Sequence, residues 1–176
     1  WLKNDMPRKD NPAFNIDPER VVLGGDSAGA SLSMGVALNY KEFLTGLLLY
    51  YGWFGLRDSC SSRLYGGTED GMSEENRAFY QDAYLRSPED LLDPKLDVLN
   101  ADLRGLPFSC LIVSDMDPLL DDSKALFILL EKSGVPVEMY LHHGVLHGFL
   151  HYSRMLDASK SALGQGADFL RRVFVL

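Results

Sequence analysis

Arg20-Val21-Val22-Leu23-Gly24-Gly25-Asp26-Ser27-Ala28-Gly29 decides how the rest of this 176-residue chain is read. Arg20 to Leu23 makes an apolar strand; glycines follow at once, then an Ala/Leu-rich helix from about Ala28 to Leu38. Strand, glycine turn and helix in that order open a parallel α/β unit. Within it, Gly25-Asp26-Ser27-Ala28-Gly29 fits the Gly-x-Ser-x-Gly nucleophile pattern, which carries meaning only between a strand and a helix. Both flanks are right. So tight a turn forces Ser27 into a strained backbone conformation, with Gly25 and Gly29 leaving room for neighbouring backbone. The serine oxygen is lifted above the sheet, and the Ala28 N–H at the helix start is placed to donate to an oxyanion. The plainer alternative is a serine capping a helix after an ordinary glycine turn.

Working outward, Leu47 to Tyr51 is a continuous apolar run suited to a strand buried on both faces. A third strand is expected from Phe108 to Ser114. A fourth, Val135 to Leu141, alternates apolar and polar residues and contains Pro136, which suits a position near the sheet edge. Between the last two, Asp121 to Ser133 reads as a helix, with acidic residues in its first turn and Gly134 at its stop. A final helix from about Leu156 to Phe174 carries Leu163, Ala167, Leu170 and Phe174 as one expected buried stripe. The polar stretch from Gly52 to Pro107 has one convincing helix, around Glu74 to Leu85, and reads as an excursion between two strands.

Composition is ordinary for a globular chain: 46% hydrophobic, 24% charged and 11% aromatic. Seventeen basic against 25 acidic side chains give a formal charge of −8, which argues against a nucleic-acid backbone or an anionic membrane as partner. No apolar run approaches the roughly 20 residues of a membrane helix. Two cysteines, Cys60 and Cys110, are too few for a disulfide framework. Cys110 sits in an apolar run and reads as a buried thiol, so a reducing cytoplasm is the default location. The chain opens on Trp1, which leaves a targeting signal ahead of it open.

A hydroxyl is a weak nucleophile at neutral pH and needs a base that is itself oriented by an acid. In the order Ser, acid, His, Asp115 and Asp117 follow the third strand and His147 lies in the loop after the fourth. Both aspartates fit the acid position by spacing. Pro118 restricts Asp117 to an extended backbone, which mildly favours it. Asp121 and Asp122 fall where helix-start carboxylates complement the dipole. His143, His147 and His151 recur every four residues, but Gly144 and Gly148 argue against a helical metal face there, and no further ligand set completes one. His147 is the natural loop base, whereas His142 and His143 read as structural or surface residues. The glycines around Ser27 lack the spacing of a phosphate loop.

Together, Gly25-Asp26-Ser27-Ala28-Gly29, Asp117-Pro118-Leu119-Leu120-Asp121 and His147-Gly148-Phe149 resemble the hormone-sensitive-lipase-like esterases. The runs Tyr51 to Ser59 and His147 to Met155 look like the bacterial acetyl esterases within that family. The resemblance spans essentially the whole chain. It implies the C-terminal half of an α/β-hydrolase fold over residues 1–176, with a mostly parallel sheet of about four strands flanked by helices. It also implies Asp117 rather than Asp115 as triad acid, and no cofactor. The implied substrates are small-molecule short-chain acyl esters, acetyl to roughly butyryl or hexanoyl, and the 52–107 excursion would lie near the acyl pocket. Family members carry a His-Gly-Gly-Gly oxyanion motif and further strands upstream that this sequence lacks, so Ala28 is the one oxyanion donor it offers. The expectation is a chain that alone is weakly active or inactive and associates, for instance as a homo-oligomer, through the unpaired edge of its first strand. The other readings are a non-catalytic binding protein on the same fold, or an acyltransferase or amidase using the same triad.

Overall fold

A computed structural model describes residues 17, 19–68 and 71–175. Among the described residues four strands, β1 (Val22–Asp26), β2 (Gly46–Tyr50), β3 (Ser109–Met116) and β4 (Val137–Leu146), form one parallel sheet in the order β1-β2-β3-β4. The same residues hold five α-helices: α1 (Ala28–Ala37), α2 (Cys60–Leu64), α3 (Glu74–Tyr84), α4 (Leu120–Lys132) and α5 (Asp157–Val175).

Alternation along β2 explains the layers. Leu47 and Leu49 pack with Ala30 and Met34 of α1 and with Leu126 and Leu130 of α4 on one face. Leu48 and Tyr50 pack with Cys110 and Ile112 of β3 and with Ala162 and Phe169 of α5 on the other. All five residues of β2 are buried, as the unbroken apolar run requires. Each of its three leucine side chains contributes on the order of 1.5–3 kcal/mol when fully removed from water.

Three local readings are corrected. Gly24 and Gly25 belong to β1 rather than to the turn, paired with Leu48 and Leu49. A Cβ on Gly24 would stand 3.0 Å from the Leu48 carbonyl oxygen, so glycine there serves close strand approach. The fourth strand begins later than Val135 and continues through His142 and His143 to Leu146, beside a β3 that itself runs on to Met116 through a register shift. The buried stripe of α5 lies one residue earlier than expected: Ala162, Gly166 and Phe169 are buried, while Leu163 is 45% exposed. Size misled the apolar count, because the helix approaches β2 at a glycine. A Cβ on Gly166 would fall 2.0 Å from the Tyr50 hydroxyl.

The excursion holds α2, the expected helix α3 and short 3₁₀ turns at Pro88–Leu92 and Val98–Asn100. Ser59 caps α2 by accepting the Ser62 N–H at 3.0 Å, and Ser73 caps α3 by accepting the Asn76 N–H. Gly134, at φ 73°, stops α4 as its position in the sequence implied.

Candidate active site

Parallel strands deliver their C-terminal ends to one rim, and three of the four strand ends supply the candidate site. Ser27 follows β1 directly with φ 50° and ψ −119°, a strained non-glycine conformation. Its N–H donates to the Tyr50 carbonyl at 2.9 Å, which pins the turn to β2. The two flanking glycines are unequal. A Cβ on Gly25 would meet the carbonyl carbon of Gly29 at 2.5 Å, whereas one on Gly29 would meet nothing within 4 Å beyond its own helix and chain neighbours. Only Gly25 is demanded by space. Ala28, exposed, is the first residue of α1, so its N–H has no partner within the helix.

His147 follows β4, and Gly148 at φ 72° turns the chain immediately into a 3₁₀ turn, Phe149–Tyr152. The imidazole Nε2 lies 2.9 Å from Ser27 Oγ, and Nδ1 lies 2.8 Å from Asp117 Oδ2. Asp117 is 1% exposed; its other oxygen accepts the Leu119 N–H at 2.7 Å, and Ser114 Oγ donates to Oδ2 at 3.3 Å. Both lone-pair-rich oxygens are thus held, which fixes the plane of the carboxylate. The pairing sets the imidazole tautomer, with Nδ1–H toward Asp117 and Nε2 open to the serine proton.

The remaining candidates go elsewhere. Asp115 accepts from Gly144 N–H at 2.8 Å and pairs with His143 Nδ1 at 3.0 Å on the exposed rim. His142 Nε2 meets Gln165 Oε1 of α5 at 2.9 Å, and His151 Nε2 lies 3.6 Å from Asp26 Oδ2. The three histidines spaced by four therefore face three different carboxylates. Asp121 and Asp122 do more than complement a helix dipole. Asp121 accepts the Ser61 N–H at 2.9 Å, tying α2 to α4. Asp122 is buried, and its Oδ1 accepts the N–H groups of Phe54 and Leu56 at 3.0 Å each. Burial pushes its pKa up to about 7 against the pull of those two donors.

Sequence reading missed Tyr51. It stands one residue past β2 with φ 38°, 1% exposed, and its ring lies edge-on to His147 at a centroid distance of 4.9 Å. Backbone strain of this kind costs roughly 1–3 kcal/mol and invites a functional question. No composition or periodicity signal announces it; a tyrosine ending an apolar run ordinarily just completes the strand.

Comparison with known proteins agrees with this architecture. Residues 1–151 match the family described as the alpha/beta hydrolase fold. An acetyl esterase of Salmonella choleraesuis (strain SC-B67) is 40% identical over 163 residues, 89% of this chain and 50% of that protein. A Pyrobaculum calidifontis esterase structure superposes with a TM-score of 0.87 at 27% identity, covering 93% of this chain and 55% of its own. An esterase from the bacterial hormone-sensitive lipase family shares the fold at 24% identity with a TM-score of 0.71, over 89% of this chain and 54% of its own. The chain belongs to the α/β-hydrolase fold family. Within it, the chain is similar in sequence to the Salmonella acetyl esterase and in fold to the esterase of the bacterial hormone-sensitive lipase family. The chain spans about half the length of the curated relative it matches. Among the described residues, no helix is long and apolar enough to cross a membrane.

Proposed function

We propose that this chain carries the nucleophile, base and acid of a serine carboxylesterase acting on short-chain, acetyl-like esters. One observation carries the reading: Ser27 Oγ, His147 and Asp117 form a continuous hydrogen-bonded relay of 2.9 and 2.8 Å. Ser27 Oγ attacks the ester carbonyl while His147 Nε2 takes its proton, and Asp117 holds Nδ1–H and stabilises the imidazolium that forms. The exposed Ala28 N–H donates to the developing oxyanion, as one donor of a hole whose single donors are worth roughly 10²–10³ in turnover. His147 then returns its proton to the leaving alcohol. Water, activated by the same imidazole, releases the acid and restores Ser27. No cofactor enters these steps.

The acyl-chain preference rests on resemblance to the acetyl esterases, and the named activity of the Salmonella relative supports it. The 52–107 excursion is read as shaping the acyl side, since Ser31 of α1 donates to the Trp53 carbonyl at 2.6 Å just beyond Ser27. Among the described residues β1 pairs on one side only, which supports reading its other side as the place where a further strand or a second copy of the chain adds. The free thiols Cys60 and Cys110 support a cytoplasmic location. Aryl esters of increasing acyl length, offered to the chain and to Ser27→Ala, test the reading. Hydrolysis that declines from acetyl to longer chains and vanishes in Ser27→Ala is expected; equal hydrolysis by Ser27→Ala removes Ser27 from the mechanism.

A further inference from the structure

The second position of the nucleophile motif, Asp26, points its carboxylate at a residue that no part of the mechanism above uses. Tyr51 Oη donates to Asp26 Oδ2 at 3.3 Å and accepts the N–H of Leu150 from the loop that carries His147. The Tyr51 ring meets His147 at 4.9 Å and Phe149 at 5.6 Å. Its own N–H donates to the Ile112 carbonyl of β3 at 2.9 Å. One buried side chain therefore touches the turn that presents the serine and the loop that presents the base, while its backbone is fixed to the strand that leads to the acid.

We propose that Tyr51 is a positioning residue for the Ser27–His147–Asp117 relay, its ring fixing the His147 imidazole plane and its hydroxyl locking the Phe149–Tyr152 turn to Asp26. This rests on the triad reading above and deepens it. The imidazole has hydrogen bonds at both nitrogens, but two in-plane contacts leave its tilt about the Nδ1–Nε2 line free. An edge-on ring across that line removes the freedom. Burial keeps the Tyr51 hydroxyl protonated well above the usual tyrosine range, so it stays a donor to Asp26. A tyrosine with positive φ survives here because the backbone bond to Ile112, the Asp26 bond and the Leu150 bond together over-determine its place.

The test uses the purified chain, Ser27→Ala, Asp117→Asn, Tyr51→Phe, Tyr51→Leu and Asp26→Ala. Two readouts report the relay independently of turnover: the rate at which a fluorophosphonate labels Ser27, followed across pH by intact mass, and the low-field proton resonance of His147 Nδ1–H. Wild type is expected to label at Ser27 and to show the proton, and Asp117→Asn to lose it. Tyr51→Leu, which removes ring and hydroxyl, is expected to label at least about tenfold more slowly, since misplacing a reacting group by ~1 Å can cost around 10²-fold. Tyr51→Phe, which keeps the ring, is expected to recover part of that rate and to retain a broadened proton. Asp26→Ala is expected to resemble Tyr51→Phe. Where Tyr51→Leu does not fold, Tyr51→Phe and Asp26→Ala carry the comparison. Folded variants that match wild type in rate, pH profile and resonance would overturn the role of Tyr51 while leaving the triad standing. A wild-type chain with neither labelling nor the proton overturns the triad reading, and the role of Tyr51 with it.

Discussion

Replacing Asp122 by Asn probes the balance of forces beneath the site, because burial and hydrogen bonding pull its carboxyl in opposite directions. Oδ1 accepts two backbone N–H groups, from Phe54 and Leu56, which favours the charged form. Burial at 2% exposure disfavours that form more strongly, with Asp117 and Asp121 adding like charge, and the pKa rises from 3.8 to about 7. The sign follows from proton counts. Between these values the folded chain holds a proton at Asp122 that the unfolded chain has released, so stability falls as pH rises, by about 1.4 kcal/mol per pH unit. Over the whole window this amounts to at most ~4 kcal/mol, all of it lost by about pH 8 and none of it below about pH 4. Asn keeps an acceptor oxygen for both N–H groups and has no charge to bury. Urea melts of wild type and Asp122→Asn at half-unit steps from pH 4 to 8 measure the difference, in which the histidines common to both chains cancel. The two chains are expected to be nearly equal at pH 4, with Asn pulling ahead through pH 7. A difference independent of pH, or one in which wild type gains on Asn as pH rises, would show that the two N–H donors outweigh burial and refute the reasoning.

Asp117→Asn should fold, since the amide oxygen can still accept the Leu119 N–H while the NH₂ group donates to Ser114 Oγ or His147, but it presents the wrong imidazole tautomer; ester turnover is expected to fall by roughly 10⁴, with KM little changed. Gly25→Ala places a methyl 2.5 Å from backbone at Gly29, so loss of Ser27 labelling together with a lowered melting temperature is expected, from ~1–3 kcal/mol of overpacking or more. Gly29→Ala, by contrast, should be tolerated in a melt, because its methyl meets nothing nearby. Gly166→Ala should destabilise the chain by ~1–3 kcal/mol through the Tyr50 hydroxyl, and Tyr50→Phe in the same chain should recover most of it, since the next ring atom stands at 3.2 Å; a double-mutant cycle by denaturant melts reads this coupling directly.

The elements legible in the sequence were those with strong periodicity or punctuation. The unbroken run at β2, the helix opening after Ser27 and the Gly134 stop each have a local cause that acts whatever the rest of the chain does. The proximity of Ser27, Asp117 and His147 was legible for a different reason. Parallel strands must end at one rim, so residues just past successive strands are neighbours however far apart they lie along the chain. What escaped was set by tertiary contact. The register of α5 turned on Gly166 meeting Tyr50, a pair no helical wheel ranks as core. The preference for Asp117 over Asp115 as the proposed acid came from the family resemblance; in the structure Asp115 is drawn outward to His143 and Gly144, while Asp117 is enclosed by Ser114 and Leu119. The burial of Asp122 depended on the first residues of the excursion folding over α4, where Phe54 and Leu56 donate to its carboxylate, a long-range contact that no local pattern encodes.

Strain in this chain is placed rather than scattered. Among the described residues the two non-glycine residues with positive φ are Ser27 and Tyr51, and each stands one residue past its strand, β1 and β2, which are neighbours in the sheet. Each is anchored by its own N–H to the next strand along, Ser27 to Tyr50 and Tyr51 to Ile112. Elsewhere, where the backbone needs positive φ, glycine supplies it without penalty, as at Gly134 and Gly148. Glycine at 27 or 51 would relieve roughly 1–3 kcal/mol of strain in the same way. At 27 it would remove the proposed nucleophile, and at 51 it would remove the ring that bears on His147. The two places where the fold accepts a strained side chain instead of a glycine are therefore places where the side chain itself is needed at the rim, and this ties Tyr51 to the site by the same logic that ties Ser27 to it.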